Sequence, residues 1–120
     1  EHKDEELANI KENIRRYGLF NIIPTSGRAA DVVADLPPPH GVFVGGSSGE
    51  LQEIIATAAA TMEPGARIVV NGVTEKTISS APTIMRRHGM HVEHSTITVT
   101  REGPHGPQSF NPITIMVGQK

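Results

Sequence analysis

The stretch Gly41-Val42-Phe43-Val44-Gly45-Gly46-Ser47-Ser48-Gly49-Glu50 decides how this chain is read. Its first half is a compact apolar run, typical of a central parallel strand buried on both faces. Its second half turns the chain, and Ser47 and Glu50 have the spacing of a capping box, so a helix is expected to start there. Leu51, Ile54, Ile55, Ala58, Ala59 and Met62 then recur at helical spacing on one face, and Glu63-Pro64-Gly65 stops the helix. Ala66 to Asn71 follows as a second buried strand built on Ile68, Val69 and Val70. Strand, helix and strand in this order define a βαβ unit, and hence a parallel sheet.

Downstream, Thr74 is placed to cap a third helix running towards His88, with Gly89 as its stop. Pro82 interrupts that pattern. The expectation is a kink or two short pieces, with Ser79 or Ser80 capping the second. Met90 to Thr100 alternates as a strand with one wet face, and Arg101 to Gln108 reads as a Gly/Pro-rich loop. Ser109 to Val117 reads as the last strand, and with no helix between them the final two strands should pair antiparallel. Upstream, Leu7, Ile10, Ile14 and Tyr17 form one apolar helical stripe closed by Gly18. Phe20 to Ile23 reads as a short buried strand, Gly27 to Asp35 as a mixed segment with a helical turn, and Leu36-Pro37-Pro38-Pro39 as an extended connector. The fold class is α/β, Rossmann-like, with helices expected on both faces of the sheet. An opening helix with no strand before it reads as a start within a βαβ unit.

Composition narrows the function. The chain has 120 residues, 37% hydrophobic and 20% charged, and a net charge of −2. These values fit a globular domain and offer no basic field for nucleic acid. Cysteine is absent, which excludes a thiolate metal site and a catalytic thiol. His88, His91 and His94 fall on a helix end and a strand, not at metal-ligand spacing, so no metal site is expected. No apolar run has the length of a membrane span, and a cytoplasmic location is the default.

In an open α/β sheet, ligands bind beyond the carboxyl ends of the strands. Four segments are expected at that edge: Glu1 and its neighbours, Ser26-Gly27-Arg28-Ala29, Gly45-Gly46-Ser47 and Asn71-Gly72-Val73-Thr74. The runs Asp35-Leu36-Pro37-Pro38-Pro39-His40-Gly41-Val42-Phe43-Val44-Gly45-Gly46-Ser47 and Pro64-Gly65-Ala66-Arg67-Ile68-Val69-Val70-Asn71-Gly72-Val73-Thr74 resemble signatures of the decarboxylating precorrin methyltransferases. Asn13 with Tyr17-Gly18, and Asn111-Pro112, extend the resemblance over nearly the whole chain.

The resemblance implies a class I methyltransferase sheet that uses S-adenosyl-L-methionine to methylate a precorrin meso carbon and to decarboxylate the ring C acetate, in cobalamin biosynthesis. The family's glycine loop, first strand and most of its second are absent from residues 1–120. The chain therefore reads as the C-terminal portion of one methyltransferase domain, with an incomplete sheet and a C-terminal antiparallel hairpin. On this reading Glu1, Gly27, Arg28, Ala29 and Gly45 bind cofactor, Glu1 through the ribose hydroxyls. Gly46, Ser47, Asn71, Thr74, Arg101 and His105 contact substrate, the last two as cations towards its carboxylates. No catalytic residue is singled out. Arg28 stands where the family has an aspartate for the adenine amino group, and a guanidinium only donates. The resemblance also implies homo-oligomers, often tetramers, and a partner methyltransferase domain, with no nucleic-acid or membrane partner. The rivals are a non-catalytic oligomerising subunit and a class I methyltransferase acting on RNA.

Overall fold

A computed structural model describes residues 1–47 and 49–120; Ser48, in the expected turn after the first strand, lies outside them. The chain divides into two units, residues Glu1–Leu36 and Pro37–Lys120.

In the second unit, β1 (Gly41–Val44) pairs parallel with β2 (Arg67–Gly72), with Val44 opposite Val70. The intervening helix α3 covers Leu51–Thr61. Helix α4 (Glu75–Arg87) leads from β2 to β3 (His91–Ile97), and the last strand, β6 (Ile113–Gln119), lies antiparallel between β2 and β3. The sheet order is therefore β1-β2-β6-β3. The antiparallel pairing of the final strands follows the expectation. The insertion of β6 between β2 and β3 was not legible, because a local pattern does not say which edge a returning strand joins.

Both crossovers, β1-α3-β2 and β2-α4-β3, advance in the same direction across the sheet. Right-handed connections then place both helices on one face, and α3 and α4 do touch each other. Within residues 37–120 the helices thus cover one face of the sheet, not two. The alternation in burial follows: Ile68, Val70 and Met116 are buried under the helices, with Ile55, Ala58, Ala81 and Met85 above them. Each such Ile, Val or Met side chain contributes about 1.5–3 kcal/mol of burial before entropy is set against it. On β1, which forms one edge of the sheet, Phe43 is 67% exposed.

Three local expectations are corrected. Helix α3 starts at Leu51 with Glu50 as its N-cap and no side-chain cap, so the Ser47–Glu50 capping box does not form. Gly49, at φ 93, reverses the chain between Ser47 and the helix, and the Ser47 carbonyl accepts the Glu50 N–H at 2.7 Å instead. Helix α4 is one continuous helix through Pro82. Ser79 and Ser80 donate to the carbonyls of Glu75 and Lys76 at 2.8 and 2.6 Å rather than capping a second piece. Burial of Ala81, Ile84 and Met85 holds the helix on both sides of the proline. The expected loop 101–108 is a two-stranded ribbon of β4 (Thr100–Gly103) and β5 (Gly106–Ser109), turned by Pro104 and His105.

In the first unit, α1 (Asp4–Tyr17) ends at Gly18, whose φ of 63 is the left-handed closure glycine adopts without strain. Asp4, Glu5 and Glu6 in its first turn and Arg15 and Arg16 in its last complement the helix dipole. Leu7 is its buried residue. Glu12 and Arg15 pair at 2.7 Å on the surface, and that bond holds the Glu12 carboxyl below the usual carboxylate range. Helix α2 (Ala29–Val32) and a 3₁₀ turn at Val33–Asp35 match the expected mixed segment. The strand expected at Phe20–Ile23 does not form, and Phe20 and Ile23 are 97% and 89% exposed. A strand exists only as a ladder, and residues 1–36 contain no second strand to supply one.

Candidate functional site

At the carboxyl ends of the parallel strands β1 and β2 the second unit opens a cleft of about 360 Å³. Its floor is Val44 and Val70, register partners in the two strands. Gly45, Gly46 and Ser47 continue β1 along one wall, and Asn71 and Thr74 continue β2 along the other. The sequence-based expectation that Gly45 and Asn71 converge on one crevice is met. The cause is the register: parallel pairing of Val44 with Val70 brings the next residue of each strand to the same rim.

The glycines of this rim differ. A Cβ at Gly46 would meet nothing within 4 Å, so its backbone stands open to a ligand. One at Gly45 would press on the Phe43 ring at 3.3 Å. One at Gly72 would fall 2.8 Å from both Ile78 Cγ1 and Met116 Cε, so that glycine is required by the packing of α4 and β6. Thr74 lines the cleft, but its hydroxyl is committed to the first turn of α4. It accepts the Thr77 N–H at 3.3 Å and donates to Thr77 Oγ1 at 3.0 Å. Lys76, Thr77 and Ser80 also line the cleft and escaped the sequence reading. Their i, i+3 and i, i+4 spacing after the Thr74 cap puts them on one polar face of the opening turns of α4, which was the available signal.

Arg101 and His105 are not in this cleft. They line a second one of about 470 Å³ at the tip of the β4–β5 ribbon, with Gly103, Gly106 and Gln108. The Arg101 guanidinium lies over the Phe110 ring, 5.5 Å from its centroid.

In the first unit, the Glu1 Oε1 atom accepts the N–H groups of His2 and Lys3 at 2.9 and 3.0 Å. The bond from Lys3 is the main cause that holds this carboxyl below the usual range; desolvation opposes it, and the bond from His2 adds to the lowering. The Glu1 carbonyl accepts the Gly27 N–H at 3.1 Å, which joins two of the expected cofactor segments directly. Gly27 sits at φ 138, and a Cβ there would fall 2.5 Å from Val32 Cγ1, so both backbone and space demand glycine. Arg28 is the N-cap residue of α2; its carbonyl accepts the N–H groups of Asp31 and Val32, and Ala29 opens the helix. Among the described residues no cluster of His, Asp or Glu has the arrangement of a metal site. Among the described residues no helix is long and apolar enough to cross a membrane.

A βαβ unit with a glycine-tipped cleft beyond its strands, finished by an antiparallel last strand inserted between β2 and β3, is the sheet of the class I methyltransferases. An O-methyltransferase from Bacillus cereus solved with SAH shares this fold at a TM-score of 0.68 and 16% identity, covering 100% of this chain and 60% of its own. More particularly, the chain belongs to the precorrin methyltransferase domain family, whose model matches residues 1–117. A solved precorrin-6Y C5,15-methyltransferase from Geobacter metallireducens superposes with a TM-score of 0.93 at 30% identity, over 100% of this chain and 64% of that one. A curated protein of Methanothermobacter thermautotrophicus, named "Probable cobalt-precorrin-6B C(15)-methyltransferase (decarboxylating)", is 31% identical over 98 residues, or 81% of this chain. The chain spans about half the length of that relative, 51%.

Proposed function

We propose that the protein carrying this chain transfers a methyl group from S-adenosyl-L-methionine to a precorrin meso carbon and decarboxylates the ring C acetate, in cobalamin biosynthesis. The observation that carries this reading is the cleft at the ends of β1 and β2, built on the family's own motifs in a sheet that matches a precorrin methyltransferase closely. The cofactor, when bound, supplies an activated methyl group. What remains for the chain is alignment and exclusion of water, and a cleft of glycines and small polar groups over an apolar floor suits both tasks.

The residues fit these roles unevenly. Glu1 presents a carboxylate held in its charged form by two backbone N–H groups, an acceptor suited to ribose hydroxyls. Gly27 shapes the backbone on which Arg28 and Ala29 stand. Ala29 lies in the first turn of α2, where N–H groups lack intrahelical acceptors, and its N–H is assigned as a donor to an adenine ring nitrogen, a different contact from the acceptance of the amino proton that the Arg28 side chain cannot provide. Gly45 is assigned to the cofactor's methyl end. Gly46, Ser47 and Asn71 are assigned to the macrocycle, with Thr74 acting chiefly through the helix it caps. Arg101 and His105 belong to a separate cationic ribbon tip, a candidate for peripheral carboxylates of the same substrate. We also assign the protein to the homo-oligomers, often tetramers, that the family forms.

The test is calorimetric titration of the purified protein with S-adenosylhomocysteine. Stoichiometric heat is expected. A protein folded by circular dichroism that gives no heat refutes the assignment and favours a non-catalytic subunit.

A further inference from the structure

We propose that Lys76 is a substrate-positioning residue that receives a carboxylate retained by the substrate throughout the reaction; this rests on the corrinoid reading above. Lys76 stands in the first turn of α4 and lines the cleft beside Asn71, Thr77 and Ser80. It is the one charged side chain among the described residues lining that cleft. Among the described residues no carboxylate pairs with it, although Glu75 precedes it directly. Its backbone carbonyl is fixed by the Ser80 hydroxyl at 2.6 Å, which ties the base of the side chain to the cleft wall. An exposed lysine in a cleft whose other polar lining is neutral is a receptor for an anion, and Thr77, whose Oγ1 accepts from Thr74, keeps its own hydroxyl proton for the same anion, while the Thr74 and Ser80 protons are already committed.

The chemistry decides which carboxylate it takes. Loss of carbon dioxide moves the carboxylate's charge away into the ring. A cation held on the departing carboxylate would stabilise the starting state more than the transition state and slow the step. Lys76 is therefore assigned to a carboxylate that stays, where uniform binding fixes the ring against the Gly45–Gly46 backbone. Such a contact changes KM and leaves kcat nearly unaltered.

The experiment is calorimetric titration of wild type, Lys76→Met and Lys76→Arg with three probes: S-adenosylhomocysteine, the polycarboxylate corrinoid cobyrinic acid, and its neutral heptamethyl ester. Lys76→Met is expected to weaken cobyrinic acid by roughly fivefold to tenfold, the range for one ion pair in a half-open site. It should leave the ester and S-adenosylhomocysteine unchanged, and Lys76→Arg should restore acid binding to within about threefold. Circular dichroism of the variants checks the fold, and unchanged cofactor-product affinity checks the site. Equal affinity of wild type and Lys76→Met for the acid overturns the proposal, as does an equal loss for acid and ester. Uptake of S-adenosylhomocysteine by wild type with no uptake of cobyrinic acid overturns the corrinoid reading itself, and the assignment of Lys76 with it.

Discussion

Lys120→Met tests how the second unit is closed. The Lys120 ammonium donates to the carbonyls of Ala59 and Met62 at 2.7 and 2.6 Å, capping the C-terminus of α3 where the helix dipole is negative. Its backbone is already tied: the Lys120 N–H donates to the Ala66 carbonyl at 3.0 Å, and its own carbonyl accepts the Gly65 N–H at 2.7 Å. Little extra freedom is lost in aiming the side chain. Methionine keeps the apolar stem and removes the charge. Hydrogen bonds to a charged group contribute about 1.5–3 kcal/mol, but the residue is exposed and water competes, so the expected loss is about 1–2 kcal/mol. With a urea slope near 1–3 kcal/mol/M for a chain of this size, the midpoint should fall by about 0.5–1 M with the slope unchanged. Urea unfolding followed by far-UV circular dichroism measures it. A midpoint within about 0.2 M of wild type would refute the argument that this cap closes α3 onto the sheet.

Gly118→Ala should destabilise by about 1–3 kcal/mol in the same assay, because the packing is already tight; the new Cβ would fall 2.9, 3.0 and 3.2 Å from Met90 Sδ, Met85 Sδ and Ile68 Cγ2. Thr74→Ala should cost about 1 kcal/mol through loss of the α4 cap, and Thr74→Ser should recover most of it. If Thr74→Ser instead lowers substrate affinity at unchanged stability, the hydroxyl serves the ligand and not the helix. The Glu1 carboxyl should titrate by carbon-13 NMR below free glutamate, because the folded state lowers its pKa. Its contribution to stability is then fully present above the unfolded pKa and is lost as pH falls through the lower folded value. Glu1→Gln should weaken S-adenosylhomocysteine about tenfold by calorimetry, since an amide accepts less strongly than a carboxylate; unchanged affinity removes the ribose role.

What the sequence determined by itself was local and repetitive. The apolar run at Gly41–Val44, the stripe from Leu51 to Met62 and the run through Ile68 and Val70 are periodic signals, and periodicity survives in one dimension. They sufficed to place β1, α3 and β2, and to put Gly45 and Asn71 at one rim, because a right-handed βαβ unit leaves little choice. Tertiary structure decided the rest. Phe20–Ile23 has strand composition and is no strand, for want of a partner ladder. Pro82 carries a helix-breaking signal that burial on both sides overrides. The slot between β2 and β3 was filled by the last strand, and Lys76 entered the cleft only when α4 was set down on the sheet. Pairing and proximity are properties of distant segments brought together, and a sequence read locally holds no record of which segments those are.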